Sequence, residues 1–421
     1  MANRGSAGLR MRAIQFAWWM LLCAAAQAQI RLPTLPGAPL QTLTSTWNQA
    51  DAGIQNQLND LRHEEIRRLV MANRRTIEMD PNGDPIVRRE IIALFVTEEA
   101  LTKALARGFS VDRAQPIAWA NSRLLVLNPP ARESTSQALT ELRAADSSGV
   151  YDYNHIFNHS GAVEPPSLLP GAATPPPPPV PSARPTRRIG LLDTGVDLTH
   201  PAFSGSSVQT WGCGGALLPN AHGTAVASLL VAHAPADLYA ADVYCGTPTG
   251  GAADAIVAAL EWLLEERVAV INISLVGPEN RLLEQIIERL IERGHVIVAA
   301  VGNDGPAAPP LYPAAYAKVV GVTAVDAKQR VLLEAERGPQ VMFAAPGADI
   351  RAADLGHRYS TVRGTSFAAP TVAALLAGTV SSPDPDVAQA AIELLAKQAV
   401  HLGAPGKDLT YGFGLVGVDI H

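Results

Sequence analysis

Short apolar runs alternate with amphipathic stretches through the C-terminal part of the chain. The runs Val268 to Ser274 and Val296 to Val301 predict strands. The stretches Gly251 to Glu266 and Asn280 to Arg293 predict helices. Such alternation is typical of an α/β fold, a parallel sheet with helices on both faces. In that arrangement, functional side chains collect at the carboxyl ends of the strands.

A second, smaller alternation precedes it between residues 81 and 160. The predicted elements are a strand at Ile91 to Val96, a helix from Thr97 to about Arg107, strand-like segments within Ile117 to Leu127, a helix at Ser134 to Ala145 and a strand at Val150 to Phe157. Strand–helix–strand–strand–helix–strand is the order of a ferredoxin-like α+β domain. We therefore expect a small domain in front of the larger one at residues 188–421.

Two stretches of different composition flank the small domain. Residues 29–80 are Pro-rich and extended at first, then charged and compatible with a helix. Residues 161–187 form a Pro-rich linker with an unbroken proline run from Pro175 to Pro179. Proline lacks an N–H group and favours extended structure, so this stretch predicts a spacer. It is either a spacer at a domain boundary, a linker between two permanent domains, or a docking sequence for a partner.

The first 28 residues have the pattern of a secretory signal peptide. Arg4, Arg10 and Arg12 precede an apolar stretch from Ala13 to Ala26, and Ala26-Gln27-Ala28 matches a small-x-small cleavage site. The apolar stretch is shorter than the ~20 residues of a membrane span, which disfavours an anchor. A lipoprotein signal at Cys23 is disfavoured because Leu22 precedes it. We therefore expect export, to the periplasm or out of the cell.

The composition of the whole chain limits its partners. Of 421 residues, 48% are hydrophobic and only 17% are charged, which fits large buried cores. The net charge is −6, and no basic patch with interleaved aromatic residues occurs. We therefore expect no nucleic-acid partner and no membrane association of the mature form.

Near the C-terminus, a serine stands at the start of a predicted helix. Ser366 lies in the sequence Gly-Thr-Ser-Phe-Ala-Ala-Pro and opens the apolar run Phe367 to Ala377. Backbone N–H groups at a helix N-terminus favour negative charge. That position suits a nucleophile that attacks a carbonyl group and must stabilise the resulting oxyanion.

The other groups that such chemistry needs lie upstream, in the order Asp, His, Ser. Asp193 ends an apolar run, and His222 opens an apolar helix. Asn303 lies just beyond the predicted strand His295 to Val301. Serine needs a histidine base, and the histidine needs a carboxylate that fixes its tautomer. An asparagine amide can donate to the oxyanion.

Residues 188–421 resemble the subtilisin-like serine proteases, or subtilases. Four motifs carry the resemblance, namely Asp193-Thr194-Gly195, His222-Gly223-Thr224, Gly302-Asn303 and Gly364-Thr365-Ser366-Phe367-Ala368-Ala369-Pro370. The resemblance implies Asp193, His222 and Ser366 as a catalytic triad and Asn303 as the oxyanion-hole side chain. It also implies a secreted endopeptidase that cuts polypeptides through an acyl-enzyme.

The small domain, in turn, resembles the propeptides of subtilases. This resemblance implies that it is an intramolecular inhibitor whose C-terminal end passes through the active site. We expect a precursor that matures by autocleavage between about Tyr153 and Arg187. Cleavage at the dibasic pair Arg187-Arg188 is disfavoured because it would remove the edge of the strand that carries Asp193.

The same resemblance implies the residues that bind substrate. They are Ser274, Leu275, Val276, Gly277 and Gly302. In the family this strand pairs with an extended substrate. Val276 stands where many relatives have glycine, and Leu311 lies near the expected pocket floor, so we expect a small or medium apolar residue before the cleaved bond.

Two further expectations concern the cysteines and metals. In a sheet of this kind the strands before Cys213 and Cys245 are parallel neighbours, so the two residues form either a disulfide or two buried thiols. The short stretch after the His222 helix leaves no room for the calcium loop that many relatives carry there. We therefore expect no cofactor and no strong metal site at that position.

Two other classes of protein stay open. One is a catalytically silent subtilase relative that acts as a binding or chaperone module. The other is an acid-active serine-carboxyl peptidase, in which an acidic residue replaces the histidine base. His222 disfavours the second class, and the intact set of three residues disfavours the first.

Overall fold

The computed structural model describes residues 62, 64–159, 161–163 and 187–418. The predicted signal peptide at 1–28 and Cys23 lie outside the described residues, as do most of the predicted N-terminal segment and linker. Within the described part of the chain, no helix has both the length and the apolar character that crossing a membrane requires.

The small domain is a sheet with two helices on one face. Its elements are α1 (residues 64–72), β1 (Ile77–Met79), β2 (Pro85–Leu94), α2 (Glu98–Ala106), β3 (Ser110–Ile117), β4 (Ser122–Asn128), α3 (Thr135–Ala145) and β5 (Val150–His159). The strand order β5-β2-β4-β3 is antiparallel throughout and has the ferredoxin-like arrangement. β1 pairs with β2, so the sheet begins at Ile77, a little before residue 81.

Local sequence signals position α2 and α3, the two helices that cover one face of this sheet. The Thr97 side chain accepts a hydrogen bond from the N–H of Ala100, and Ser134 does the same for Gln137. Such caps satisfy backbone donors that a helix leaves unpaired at its start. The helices therefore begin where the sequence predicts them.

Both faces of the small sheet are buried. Ile91, Leu125 and Leu127 pack with Leu139 and its neighbours under the domain's own helices. On the opposite face, residues such as Ile92 belong to a core that includes helices of the large domain. The small domain is thus held by apolar burial on the large one, and not by a linker alone.

The large domain is built on a parallel sheet of seven strands. Its elements are β6 (Ala162–Val163), β7 (Arg188–Asp193), β8 (Ser207–Trp211), α4 (Ala221–Val231), β9 (Asp237–Asp242), β10 (Gly251–Ala252), α5 (Ala253–Glu265), β11 (Val270–Ile273), β12 (Leu275–Val276), α6 (Arg281–Glu292), β13 (Val296–Ala300), β14 (Val320–Val325), β15 (Val341–Pro346), β16 (Ile350–Asp354), β17 (Arg358–Arg363), α7 (Thr365–Ala377) and α8 (Pro385–Gln398). Single 3₁₀ turns lie at Ala118–Ala120, Pro201–Phe203 and Cys213–Gly215. The sheet order is β15-β14-β13-β11-β7-β9-β8, which confirms the predicted α/β class.

This sheet separates two apolar cores. In β13, Val296 and Val298 face the core that contains α4 and α7, whereas Ile297 and Ala299 face the core that contains α5 and α6. The alternation follows from the two-residue period of a strand. Since both faces are covered, the central strands are mostly apolar, with Asn272 in β11 and Thr323 in β14 as buried polar exceptions.

A disulfide bond joins Cys213 and Cys245, with 5.0 Å between their Cα atoms. β8 and β9 are parallel neighbours, so the two cysteines follow strands that end at the same edge of the sheet. The disulfide alternative of the sequence analysis is thereby confirmed.

Replacing both Cys213 and Cys245 by Ser should destabilise the protein. The bond closes a separation of 32 residues, and the loss of such a link typically lowers the free energy of unfolding by about 2–4 kcal/mol. Denaturant unfolding of the double variant and its parent, both with Ser366→Ala to prevent self-cleavage, measures this difference. Equal stability of the two proteins would contradict the prediction.

Candidate active site

A buried carboxylate and an imidazole meet at the carboxyl end of β7. Asp193 is the last residue of β7 and is fully buried. Its Oδ1 and Oδ2 atoms lie 2.8 and 3.1 Å from Nδ1 of His222. The backbone N–H and the hydroxyl group of Thr194 also donate to Oδ1. The carboxylate is therefore held in one orientation and faces the ring.

His222 owes its position to the start of α4. Asn220 caps this helix, and its side chain accepts a hydrogen bond from the N–H of His222 at 2.9 Å. A β-carbon on Gly223 would lie only 2.2 Å from the carbonyl oxygen of Thr194. Only glycine permits so close an approach of the helix to the end of β7. The two tripeptides Asp-Thr-Gly and His-Gly-Thr therefore form one packing unit.

Ser366 lies in the first turn of α7 and is fully buried. Its hydroxyl group donates to the carbonyl oxygen of Ser274 at 3.2 Å, and the Ser274 hydroxyl donates to the carbonyl oxygen of Ser366 at 2.9 Å. Nε2 of His222 is buried and has no hydrogen-bond partner among the described residues. The carboxylate–imidazole contact is thus formed here, and the imidazole–hydroxyl contact is not.

The imidazole nevertheless lies beside the start of α7. The ring of Phe367, the residue after Ser366, has its centre 5.1 Å from the centre of the His222 ring. Gly364 precedes the helix with φ of 133°, a conformation that favours glycine. The structure therefore brings three of the predicted site residues, Asp193, His222 and Ser366, to one edge of the sheet.

Asn303 reaches the same helix start from β13. Its Oδ1 atom accepts a hydrogen bond from the N–H of Thr365 at 3.2 Å. The Thr365 hydroxyl in turn accepts from the N–H of Gly302 at 3.3 Å. Because Oδ1 is directed at Thr365, Nδ2 is the atom of this amide that can donate to a ligand.

Three of the residues predicted to bind substrate, Leu275, Val276 and Gly277, lie along a groove that β5 fills. β5 is antiparallel to β10 on one side and to β12 on the other. His159 pairs with Leu275, and Asn158 pairs with Val276. The last strand of the small domain therefore occupies the groove as an added strand, which is how extended peptides are bound at sheet edges.

Two aromatic side chains of β5 fix its position in the groove. A β-carbon on Gly277 would lie 2.5 Å from the ring of Phe157, which is itself fully buried. Gly277 thus forms a wall against which the ring lies flat. The His159 ring stacks on the His222 ring, with 4.5 Å between their centres.

Desolvation by the surrounding protein, aided by the neighbouring His222, lowers the pKa of His159 to about 4, although the residue keeps contact with solvent. Two imidazoles stacked at 4.5 Å repel each other when both carry a proton, and His222 is itself buried. In the docked state His159 is therefore neutral at physiological pH.

One residue of the site escapes sequence reasoning. Glu336 is fully buried behind Gly302, where a β-carbon would lie 2.4 Å from its Oε1 atom. Its Oε2 atom accepts a weak hydrogen bond from the N–H of Leu311 at 3.3 Å. Burial, aided by the charge of Asp304, raises the pKa of Glu336 to about 9. The side chain is a neutral acid, and no sequence pattern distinguishes it from an exposed glutamate.

Leu311 is 2% exposed and lies against Gly302, so its side chain packs inside the domain in the docked state. The neighbouring Asp304 forms an ion pair with Arg62 at 3.1 Å. The N-terminal segment therefore also reaches the region next to Asn303.

The family of the chain can now be stated. Residues 186–414, more than half of the sequence, match the Subtilase family, Peptidase S8. The chain belongs to this family, and the fold and the arrangement of Asp193, His222 and Ser366 agree with the resemblance found in the sequence.

Several relatives are similar to this chain. It is 33% identical over 209 residues to the minor extracellular protease Epr of Bacillus subtilis (strain 168). The matched region covers 47% of this chain and 32% of Epr. It is 31% identical over 255 residues to subtilisin DY of Bacillus licheniformis, covering 55% of this chain and 89% of that protein. Its fold is similar to that of fervidolysin from Fervidobacterium pennivorans, described as a keratinolytic enzyme related to subtilisin, with a TM-score of 0.66 and 20% identity over 82% of this chain and 62% of that one.

Replacing Glu336 by Gln should stabilise the protein at alkaline pH. Folding holds the pKa of Glu336 near 9, whereas the unfolded chain ionises at about 4.3. The wild type therefore loses stability as pH rises through that window, and the neutral amide does not. In a Ser366→Ala background, Tm of the variant should exceed that of its parent at pH 8 by about 2–4 °C per kcal/mol of relief.

The two proteins should have similar Tm values at pH 4, where the glutamate is neutral in both states. Asp386→Asn offers a control, since Asp386 is an exposed acid in the first turn of α8. A Tm difference between Glu336→Gln and its parent that does not grow with pH would show that Glu336 is ionised in the fold.

Proposed function

We propose that the protein is a serine endopeptidase that hydrolyses polypeptides through an acyl-enzyme. The observation that carries this proposal is the contact between Asp193 and His222 beside the helix start that bears Ser366. In this role Ser366 is the nucleophile, His222 is the general base and acid, and Asp193 fixes the tautomer of the imidazole.

The resting geometry is compatible with that mechanism. Nε2 of His222 is buried and unpaired, so a hydrogen bond to a hydroxyl group would relieve a polar group that burial leaves unsatisfied. Rotation of the Ser366 hydroxyl away from the Ser274 carbonyl provides such a bond. Contacts of this kind are often long before substrate is in place.

The oxyanion would be held by two donors of different origin. Nδ2 of Asn303 is one, since the Oδ1 atom of this amide already accepts from Thr365. The backbone N–H of Ser366, in the first turn of α7, is the other. A helix N-terminus favours the negative charge that develops when the hydroxyl attacks.

We propose that the small domain is an intramolecular inhibitor and that the precursor matures by autocleavage. β5 blocks the groove, and polar groups of β5 also reach the first residues of two helices of the large domain. Oδ2 of Asp152 accepts from the N–H of Arg281 at 2.8 Å, and Oδ1 of Asn154 accepts from the N–H of Asp254 at 3.1 Å. These contacts satisfy helix donors that substrate alone would leave exposed.

The proposal includes export through the predicted signal peptide, to the periplasm or the medium. It assigns no cofactor, because the chemistry needs only the four side chains named above. Residues 232–236 join α4 to β9, and so short a connection leaves no room for an added calcium loop. The mature enzyme is assigned no nucleic-acid or membrane partner.

Three proteins, compared on casein and a peptide substrate, test the function. Wild type should cut both substrates and convert its precursor, whereas Ser366→Ala should do neither. Asn303→Ala should fold and retain weak activity, since loss of one oxyanion donor lowers turnover by about 10²–10³, a figure that itself comes from a subtilisin.

The outcome also separates the alternative functions. Wild-type protein that folds, binds peptides and cuts none of them would indicate a binding module. Activity that rises as pH falls below about 4 would favour an acid-active peptidase over a histidine base.

Self-inhibition should weaken at acidic pH because of His159. The free strand gains a proton as pH falls through about 6.5, but the docked strand holds the pKa of His159 near 4. The docked state therefore loses stability as pH falls across that window, by less than the full shift implies, because His159 is partly screened by solvent. His222, Tyr244 and Asp193 are the ionisable groups that face this ring.

Hydrogen exchange of the β5 amides in full-length Ser366→Ala measures this opening, after correction for the intrinsic effect of pH. His159→Gln in the same background is the matched control, because its side chain stays neutral at both pH values. If the exchange rates of the β5 amides change equally with pH in both proteins, groups other than His159 control the release of β5.

A further inference from the structure

The chain of the small domain continues through the active site after β5. His159, the last residue of β5, pairs with Leu275 of β12. Ala162, the first residue of β6, pairs with Arg363 of β17. Two strands of the large domain thus hold the chain on either side of the nucleophile, with only positions 160 and 161 between them.

Both registers lead to the same peptide bond. One step along β12 beyond Leu275 is Ser274, whose carbonyl oxygen accepts the Ser366 hydroxyl. One step along β17 beyond Arg363 is Gly364, the residue that caps α7. Continued by one residue from each side, the two registers meet at the bond between positions 160 and 161, beside Ser366.

Resting on the proposed endopeptidase function, we propose that this bond is the one that the enzyme cuts in its own precursor. Gly161 then becomes the N-terminus of the mature protein, and the small domain ends at Ser160. The Pro-rich linker stays with the large domain at this step, as an N-terminal extension.

Gly161 fits its place only as glycine. It has φ of +151°, and a β-carbon would lie 2.7 Å from Cε2 of Phe367 and 3.1 Å from the carbonyl oxygen of Arg363. Phe367 directly follows Ser366 in α7, so Gly161, the residue after the proposed cleavage site, packs closely against this helix. Any larger residue there would push the bond away from Ser366.

The residues before the bond define the chemistry that the groove accepts. Phe157, four positions before the bond, lies against Gly277, and His159, two positions before it, stacks on His222. The segment that the enzyme would cut in its own precursor is therefore an extended strand. It has an aromatic residue four positions before the cleaved bond and an imidazole ring two positions before it.

The reaction balances with water as its only co-reactant. The Ser366 hydroxyl gives its proton to Nε2 of His222, and its oxygen bonds to the carbonyl carbon of residue 160. The bond from that carbon to the nitrogen of Gly161 breaks, and His222 returns the proton to this nitrogen. Water then hydrolyses the ester, which frees Ser366 and a carboxylate at residue 160.

Time-resolved mass spectrometry of the full chain tests the proposal. The first pair of fragments should divide after residue 160, and N-terminal sequencing of the larger one should read Gly-Ala-Val-Glu. A first cut at the dibasic pair Arg187-Arg188, or anywhere else, would overturn the assignment. If such a protein still cuts casein, the proposed function stands and only the position of the cut is wrong.

A pair of glycine variants tests the fit at the bond. Gly161→Ala should slow self-cleavage by about tenfold or more through the contact with Phe367. Gly108→Ala is the matched control, because Gly108 also has positive φ but a β-carbon there would meet Pro130 only at 3.7 Å. Equal rates for the two variants would overturn the proposed contact at Gly161. If Gly161→Ala does not fold, the N-terminal sequence of the large wild-type fragment still tests the position of the cut.

Discussion

The site depends on one close backbone contact, between the first turn of α4 and the end of β7. With glycine at 223 the helix lies so near Thr194 that the Thr194 hydroxyl accepts the N–H of Gly223 at 2.9 Å. At that separation Nδ1 of His222 reaches Asp193 without any stretch of either side chain. Backbone packing therefore sets the carboxylate–imidazole geometry, which side-chain flexibility alone would leave loose.

The lengths of two edge strands explain why one groove suits both of the proposed roles, substrate binding and inhibition. β10 and β12 are two residues long each, and in this structure both pair with β5. Strands of two residues offer few backbone hydrogen bonds to one another. A longer strand between them can form hydrogen bonds with both. A substrate would form such a strand transiently, whereas β5 is held in the groove by the packing of the whole small domain.

The sequence predicts those features that local signals encode. Thr97 and Ser134 mark helix starts because capping is a contact between near neighbours in sequence. The residue types at Asp193, His222 and Ser366 can be recognised because the chemistry requires a carboxylate, an imidazole and a hydroxyl group. The pairing of β6 with β17 has no such signal, because two residues show no periodicity and the partners are about 200 positions apart. The neutral state of Glu336 is equally hidden, since it arises from burial by Gly302 and Leu311, which only the fold brings together.

The two sides of the active site hold the chain with unequal strength, and this decides the order of events after a cut. Ser366 and His222 are 0% and 3% exposed in the uncut chain, so water has little access to an ester formed there. β6 pairs with β17 at only two positions, whereas β5 pairs with β2, β10 and β12 and buries Phe157 completely. If the enzyme cuts before Gly161 as proposed, the side that begins with Gly161 should leave first. Water should then enter from that side, and β5, the proposed inhibitor, should remain in the groove.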